Sequence, residues 1–180
     1  MKHTLSTATV VAALALAFSS AANAADGTIT FTGTISAQTC TINGNGSGGT
    51  SFAVTLPTVA ASALATDGAT SGRTPFSIAV SGCSTKSGTV STWFEPGATV
   101  DATTHRLTNG APGGAANVQI GLLEKDATTA VHPGIASQKA NIDTTTGDAK
   151  LDYFAEYVAT GGPAGSGAVS SSVTYSMVYN

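Results

Sequence analysis

Apolar residues in this chain recur at every second position, and after residue 24 no stretch repeats them at the 3.6-residue spacing of a helix. A period of two sends successive side chains to opposite faces of a strand, so the pattern restricts the chain to an all-β fold. The alternation is cleanest from Gly27 to Ser36, where Ile29, Phe31, Gly33 and Ile35 share one face and threonines occupy the other. Ser51 to Leu56, Pro75 to Ser81, Val90 to Phe94, Val118 to Leu123, Leu151 to Thr160 and Val169 to Tyr179 continue it. Between these runs lie turn-rich segments at 43–49, 109–114 and 161–165, in which Gly and Asn supply positive φ and Pro stops strand continuation. The β pattern resumes at once on both sides, which makes them loops rather than domain linkers.

Met1 to Ala24 reads differently. Lys2 and His3 precede an apolar core from Val10 to Phe18, and Ala22-Asn23-Ala24 is a small-residue cleavage site, the layout of a secretory signal peptide. Ser19-Ser20 ends the apolar run short of the ~20 residues needed to span a bilayer. The mature chain is expected to be 25–180, the size of one domain with room for a core. The whole chain has seven Lys and Arg against ten Asp and Glu; without Lys2 that becomes six against ten, a formal charge of −4. With no block of either sign, nucleic acid and acidic membrane surfaces are poor partners.

Cys40 and Cys83 are the two cysteines, and in an exported chain a disulfide is the expected state. Closing a loop of that size contributes about 3–4 kcal/mol in the chain-entropy model. A metal site instead asks for more Cys and His at ligand spacing. About seven strands, frequent turns and one disulfide together indicate an immunoglobulin-like sandwich.

Two runs sit oddly in a self-contained sandwich. One is the alternating segment ahead of Cys40, at a mature chain end that is ordinarily disordered unless docked, with Gly33 at a core-facing position. The other is the C-terminal run, where Val169, Ser171, Val173, Tyr175, Met177 and Tyr179 share a face that must pack within a sheet to be stable.

The segment from Gly27 through Ile29, Phe31, Gly33 and Ile35 to Cys40 resembles the N-terminal extension of chaperone–usher pilins of the type 1 fimbrial family. Ile78-Ala79-Val80-Ser81-Gly82-Cys83 looks like that family's second disulfide strand. Leu151 to Gly161, then Gly167 to Val169 and Val173 to Asn180 with Tyr179 penultimate, is similar to its final strand pair. The resemblance covers the whole mature chain in the family's order of motifs. It implies a signal peptide at 1–24, a donor-strand extension at 25–37 and a sandwich domain at 38–180 that lacks its last strand. The groove would lie open along the strand bearing Val173, Tyr175, Met177 and Tyr179. A periplasmic chaperone would fill it first, and at the outer-membrane usher a neighbour's extension would take over, in a fimbrium exported to the cell surface. Ile29, Phe31 and Ile35 would fill successive pockets and Gly33 would lie over a shallow one.

Other residues carry less. Tyr153, Tyr157, Tyr175 and Tyr179 read as packing residues, and Trp93 alone makes no sugar-stacking platform. His105 and His132, the two histidines of the mature chain, lie in polar, turn-prone stretches and read as solvated; two imidazoles do not supply a copper–zinc cluster. No nucleophile-elbow sequence accompanies the abundant Ser and Asp, so an enzyme is not expected, nor a cofactor. Asn45-Gly46-Ser47 matches a glycosylation sequon that the turn chemistry of its loop already explains. The expected function is a structural shaft subunit with other pilins as partners; the alternative is a minor adaptor or a subunit that binds a host receptor on the same scaffold.

Overall fold

The computed structural model describes residues 29–180, so the expected signal peptide, the mature start at Ala25 and the first two residues of the Gly27 run lie outside the described residues. Residues 36–180 form one compact unit. Its elements in chain order are β1 (Thr41–Gly44), a single 3-10 turn (Ala61–Leu64), β2 (Thr70–Ser81), β3 (Thr89–Phe94), β4 (Leu107–Thr108), β5 (Val118–Glu124), β6 (Ala136–Asn141), β7 (Ala149–Ala159) and β8 (Tyr175–Tyr179). They make two antiparallel sheets, one in the order β1-β2-β7-β5-β4 and the other in the order β6-β3-β8. The all-β sandwich read from the sequence is the fold.

Alternation decides which face of each strand turns inward. In β2, Phe76, Ile78 and Val80 are buried while the residues between them are not. They register against Tyr153, Leu151 and Ala149 of β7, so the central ladder places large apolar pairs side by side on the core face. Val90 and Phe94 of β3 close the core from the second sheet. Each such side chain, fully buried, contributes about 1.5–3 kcal/mol. Pro75 sits where β2 has no outer neighbour, because β1 pairs only with Ile78–Ser81; proline is tolerated on such an edge. A bulge between Ser71 and Thr74 is made where Gly72 adopts φ +69°.

Tyr153 joins the two layers. Its ring stacks on Phe76 at 5.4 Å and meets Phe94 edge-on at 5.3 Å. Its hydroxyl lies 2.6 Å from Ser137 Oγ, which in turn accepts the backbone N–H of Thr92 at 3.2 Å. A buried phenol with a partner avoids the penalty of an orphaned hydroxyl. Burial raises its pKa above the ordinary 10.0.

A disulfide links Cys40 to Cys83, beside the β1–β2 ladder, as the cysteine count led one to expect. The chain is fastened just ahead of it. Gln38 bonds the Thr85 backbone in both directions, Nε2 to the carbonyl at 3.0 Å and Oε1 from the N–H at 3.1 Å. Thr39 and Ser84 exchange a further pair of bonds.

The strands differ from the sequence reading in several places. Among the described residues Ser51–Leu56 forms no ladder, the ladder of the C-terminal run begins only at Tyr175, and residues 29–40 form no strand. The strands β1, β4 and β6 were not anticipated, for β4 has two residues and β6, Ala-Ser-Gln-Lys-Ala-Asn, is a polar edge with one buried side chain.

Three loops share one construction. Asp101, Asp126 and Asp143 each offer Oδ1 to the backbone N–H groups two and three residues on, all threonines, at 2.8–2.9 Å. Hydrogen bonds to the charged form hold all three carboxyls below the ordinary 3.8. A carboxyl with a lowered native pKa contributes stability that is fully present above 3.8 and is lost as pH falls through the native value. Replacing the three aspartates by asparagine keeps an acceptor oxygen and removes the titration. Melting temperature measured from neutral pH down into the acid range should therefore fall less steeply below 3.8 in the triple variant than in the parent.

Candidate functional site

The sandwich is open along one seam. On one wall, Phe52, Val54 and Leu56 turn toward the core and alternate with exposed neighbours, as strand residues do. Yet among the described residues no backbone–backbone hydrogen bond engages Ser51 to Val59. On the other wall, alternation runs on from β8 back through Val173, Ser171 and Val169. That backbone is tied to residues 95–115: Glu95 N–H donates to the Thr174 carbonyl at 2.8 Å, Gly110 N–H to Ser170 at 2.8 Å and Ala115 N–H to Ala168 at 2.9 Å. The strand β8 itself pairs with β3 and is the last strand of its sheet.

Between the walls lie two clefts. One, of ≈ 400 Å³, is bounded by residues 50–56 and 171–175 and floored by Phe76, Phe94, Ile120 and Leu122. The other, of ≈ 450 Å³, is bounded by residues 58–64 and 164–169 above Val118 and Tyr157. Numbering rises along one wall as it falls along the other, so the clefts are successive stretches of one trough with antiparallel walls. Tyr175 spans it at one end: its hydroxyl donates to the Thr50 carbonyl at 2.6 Å and its ring meets Phe52 edge-on at 6.2 Å. Burial raises the phenol pKa of both Tyr175 and Tyr179.

Of the residues singled out from the sequence, Val173 and Tyr175 line the trough, while Met177 and Tyr179 pack partly on the core and register with Thr92 and Val90 of β3. Ile29, Phe31 and Ile35 are 79%, 88% and 100% exposed. Among the described residues, a Cβ at Gly33 would meet nothing within 4 Å. The sequence reading missed the wall at 57–64 and 164–168, where a 3-10 turn and a Gly/Ser-rich loop carry no alternation to detect. It also missed that the exposed rings of His105 and His132 stack at 4.7 Å, because the loops that bear them are brought together along the outer edge of β5. Trp93 is engaged by a bond from its indole nitrogen to Glu95 Oε2 at 3.1 Å. Among the described residues no group of three or more His, Cys, Asp or Glu could hold a metal ion.

The model of the type-1 fimbrial protein A (FimA) family matches residues 56–180. The chain belongs to the type-1 fimbrial family. The pilin is 50% identical to the major fimbrial subunit SMF-1 of Stenotrophomonas maltophilia (strain K279a), over 89% of this chain and 96% of that protein. It is 42% identical to the F17 fimbrial protein of Escherichia coli, over 94% of this chain and 96% of that one. Two solved structures share its fold: a chain of a chaperone–usher pilus, with TM-score 0.61 at 20% identity over 87% of this chain and 96% of that one, and the P pilus rod subunit PapA, with TM-score 0.60 at 20% identity over 78% and 99%. The pilin is thus a structural subunit of a surface fimbrium, built on an immunoglobulin-like sandwich, and it polymerises with other pilins.

The strut across the trough is open to a direct test. Tyr175→Phe keeps the ring against Phe52 and removes the bond to Thr50, so unfolding of the purified chain in denaturant should show a loss of about 0.5–1.5 kcal/mol with little change in slope.

Proposed function

We propose that this pilin polymerises by lending residues 27–36 to the trough of the next subunit, while its own trough receives the same segment from a neighbour. The observation that carries this reading is the pairing, in one chain, of an exposed alternating stripe with an apolar trough between whose walls, among the described residues, no strand runs. Ile29 to Ile35 and Val169 to Tyr175 each cover six residue steps, about 20 Å at strand rise, so the two are matched in length. An inserted strand must run parallel to one wall and antiparallel to the other. Antiparallel pairing with the 169–179 wall continues the pattern of its sheet and is slightly the more stable per residue. Ile29 then lies toward Tyr175 and Ile35 toward Val169. Buried there, Ile29, Phe31 and Ile35 contribute about 1.5–3 kcal/mol each before ordering costs. Gly33 then falls between the two clefts, where the missing side chain lets the donated backbone lie close to the walls.

An apolar trough of this size left open would associate non-specifically, which calls for a temporary occupant before polymerisation. A periplasmic chaperone that adds a strand of its own fits that need, and strand addition between pilins and chaperones is a recognised form of β-augmentation. Residues 1–24 direct export, residues 25–37 are the donated extension, residues 38–180 are the receiving domain, and the outer-membrane usher is where one strand replaces the other.

Gly33→Tyr separates giving a strand from receiving one. The variant should fold and accumulate as a chaperone complex, and fibres should be absent by electron microscopy, because the new ring overpacks the neighbour's trough by ~1–3 kcal/mol or more and blocks register. Loss of complex and fibres together would show instead that the segment completes its own subunit. Deleting Tyr175 to Asn180 should have the other outcome, loss of the chaperone complex itself, since it removes β8; normal fibre yield from that truncation would place the receiving site elsewhere.

A further inference from the structure

Three Asn-Gly pairs occur in the described residues: Asn43-Gly44, Asn45-Gly46 and Asn109-Gly110. In such a pair the glycine nitrogen can reach the asparagine side-chain carbonyl carbon, since no Cβ stands in the way and the backbone rotates freely. Whether it does so depends on what holds the nitrogen and the amide, and here the three differ.

Gly44 N–H donates to the Gly49 carbonyl at 2.8 Å, and its Cα lies hard against the Phe52 ring. Asn43 Oδ1 is held by Gly48 N–H at 3.0 Å. Gly110 N–H donates to the Ser170 carbonyl at 2.8 Å. Asn109 is fixed at both ends: Nδ2 donates to the Ala115 and Ala168 carbonyls at 2.9 and 3.1 Å, and Oδ1 accepts from Ala111 and Ser170 at 3.1 and 3.0 Å. Asn45 is held only by its own backbone N–H, which donates to the Ser77 carbonyl at 2.7 Å. Among the described residues its side chain makes no hydrogen bond and the Gly46 N–H donates to nothing. Both residues are exposed, at φ 49° and 74°, in a turn closed by Ser47 N–H on the Gly44 carbonyl at 2.9 Å. Four glycines between residues 44 and 49 keep the cost of leaving that turn small.

We infer that Asn45 is a site of spontaneous deamidation, and that the folded subunit protects the other two Asn-Gly pairs. The Gly46 nitrogen gives up its proton to water and bonds to Asn45 Cγ; the Cγ–Nδ2 bond breaks and ammonia leaves with a proton. The resulting five-membered imide is opened by one water at either carbonyl, giving aspartate or, with the chain passing through the β-carbon, isoaspartate. Nothing is oxidised or reduced. A polymer carries this loop once per subunit, so conversion adds one negative charge per repeat, at a point six residues or fewer ahead of the trough wall.

The test is to incubate purified fibres at mildly alkaline pH, digest them and follow each site by fragmentation mass spectrometry, with a parallel sample held in denaturant. In native fibres conversion at Asn45 should exceed that at Asn109 by about tenfold or more, which is about 1.4 kcal/mol of added restraint and is what one or two retained hydrogen bonds supply. In denaturant the three rates should converge. Equal native rates at Asn45 and Asn109 would overturn the inference, and so would a tenfold difference that persists in denaturant, because the ranking would then come from local sequence and not from the fold.

Discussion

Along the trough, backbone groups that no neighbouring strand engages stand above an apolar floor. Such groups need hydrogen-bond partners, and Phe76, Phe94, Ile120 and Leu122 beneath them need cover from water. A helix or a globular side chain answers one of these needs. An extended segment with apolar residues at every second position answers both at once, since its backbone serves the walls while alternate side chains reach the floor. Ile29, Phe31, Gly33 and Ile35 have that spacing.

A sandwich open along a seam must keep its walls in place by other means. Tyr153 pins the sheets together through Ser137 and through Phe76 and Phe94 of the trough floor. The 169–174 wall is held by the loop from Glu95 to Ala115 rather than by a ladder, so a loop performs there what a strand does elsewhere. Tyr175 bridges to Thr50 and fixes the spacing at one end. The packing of Phe52 against Phe76 and Tyr175 seats the opposite wall without any backbone bond.

Sequence alternation made the core legible because burial and period coincide there: Phe76, Ile78 and Val80 are inward in β2 for the same reason that they stand out in the string. The same signal overreached at Ser51–Leu56, where side chains alternate but the ladder is missing, because periodicity reports which way side chains point and not whether the backbone has found a partner. It fell silent at β6 and along 164–168. There the chain is polar or glycine-rich and its place is decided by neighbours distant in sequence. The meeting of His105 and His132 is of that kind too, fixed by two loops that end against the same edge of β5.

The fastening around Gln38 and Cys40 sets how the subunit bears load. A pull on the segment that precedes Ser36 arrives first at the amide of Gln38, then at Cys40, and through the covalent bridge at Cys83 it reaches the end of β2. Tension is thereby passed to β2, whose ladder with β7 is the longest of the sandwich. Without the bridge it would rest on the bonds of Gln38 and Thr39 to Thr85 and Ser84 and on the four residues of β1. A crosslink placed at the mouth of the domain makes a short edge strand a fit anchorage for a cable.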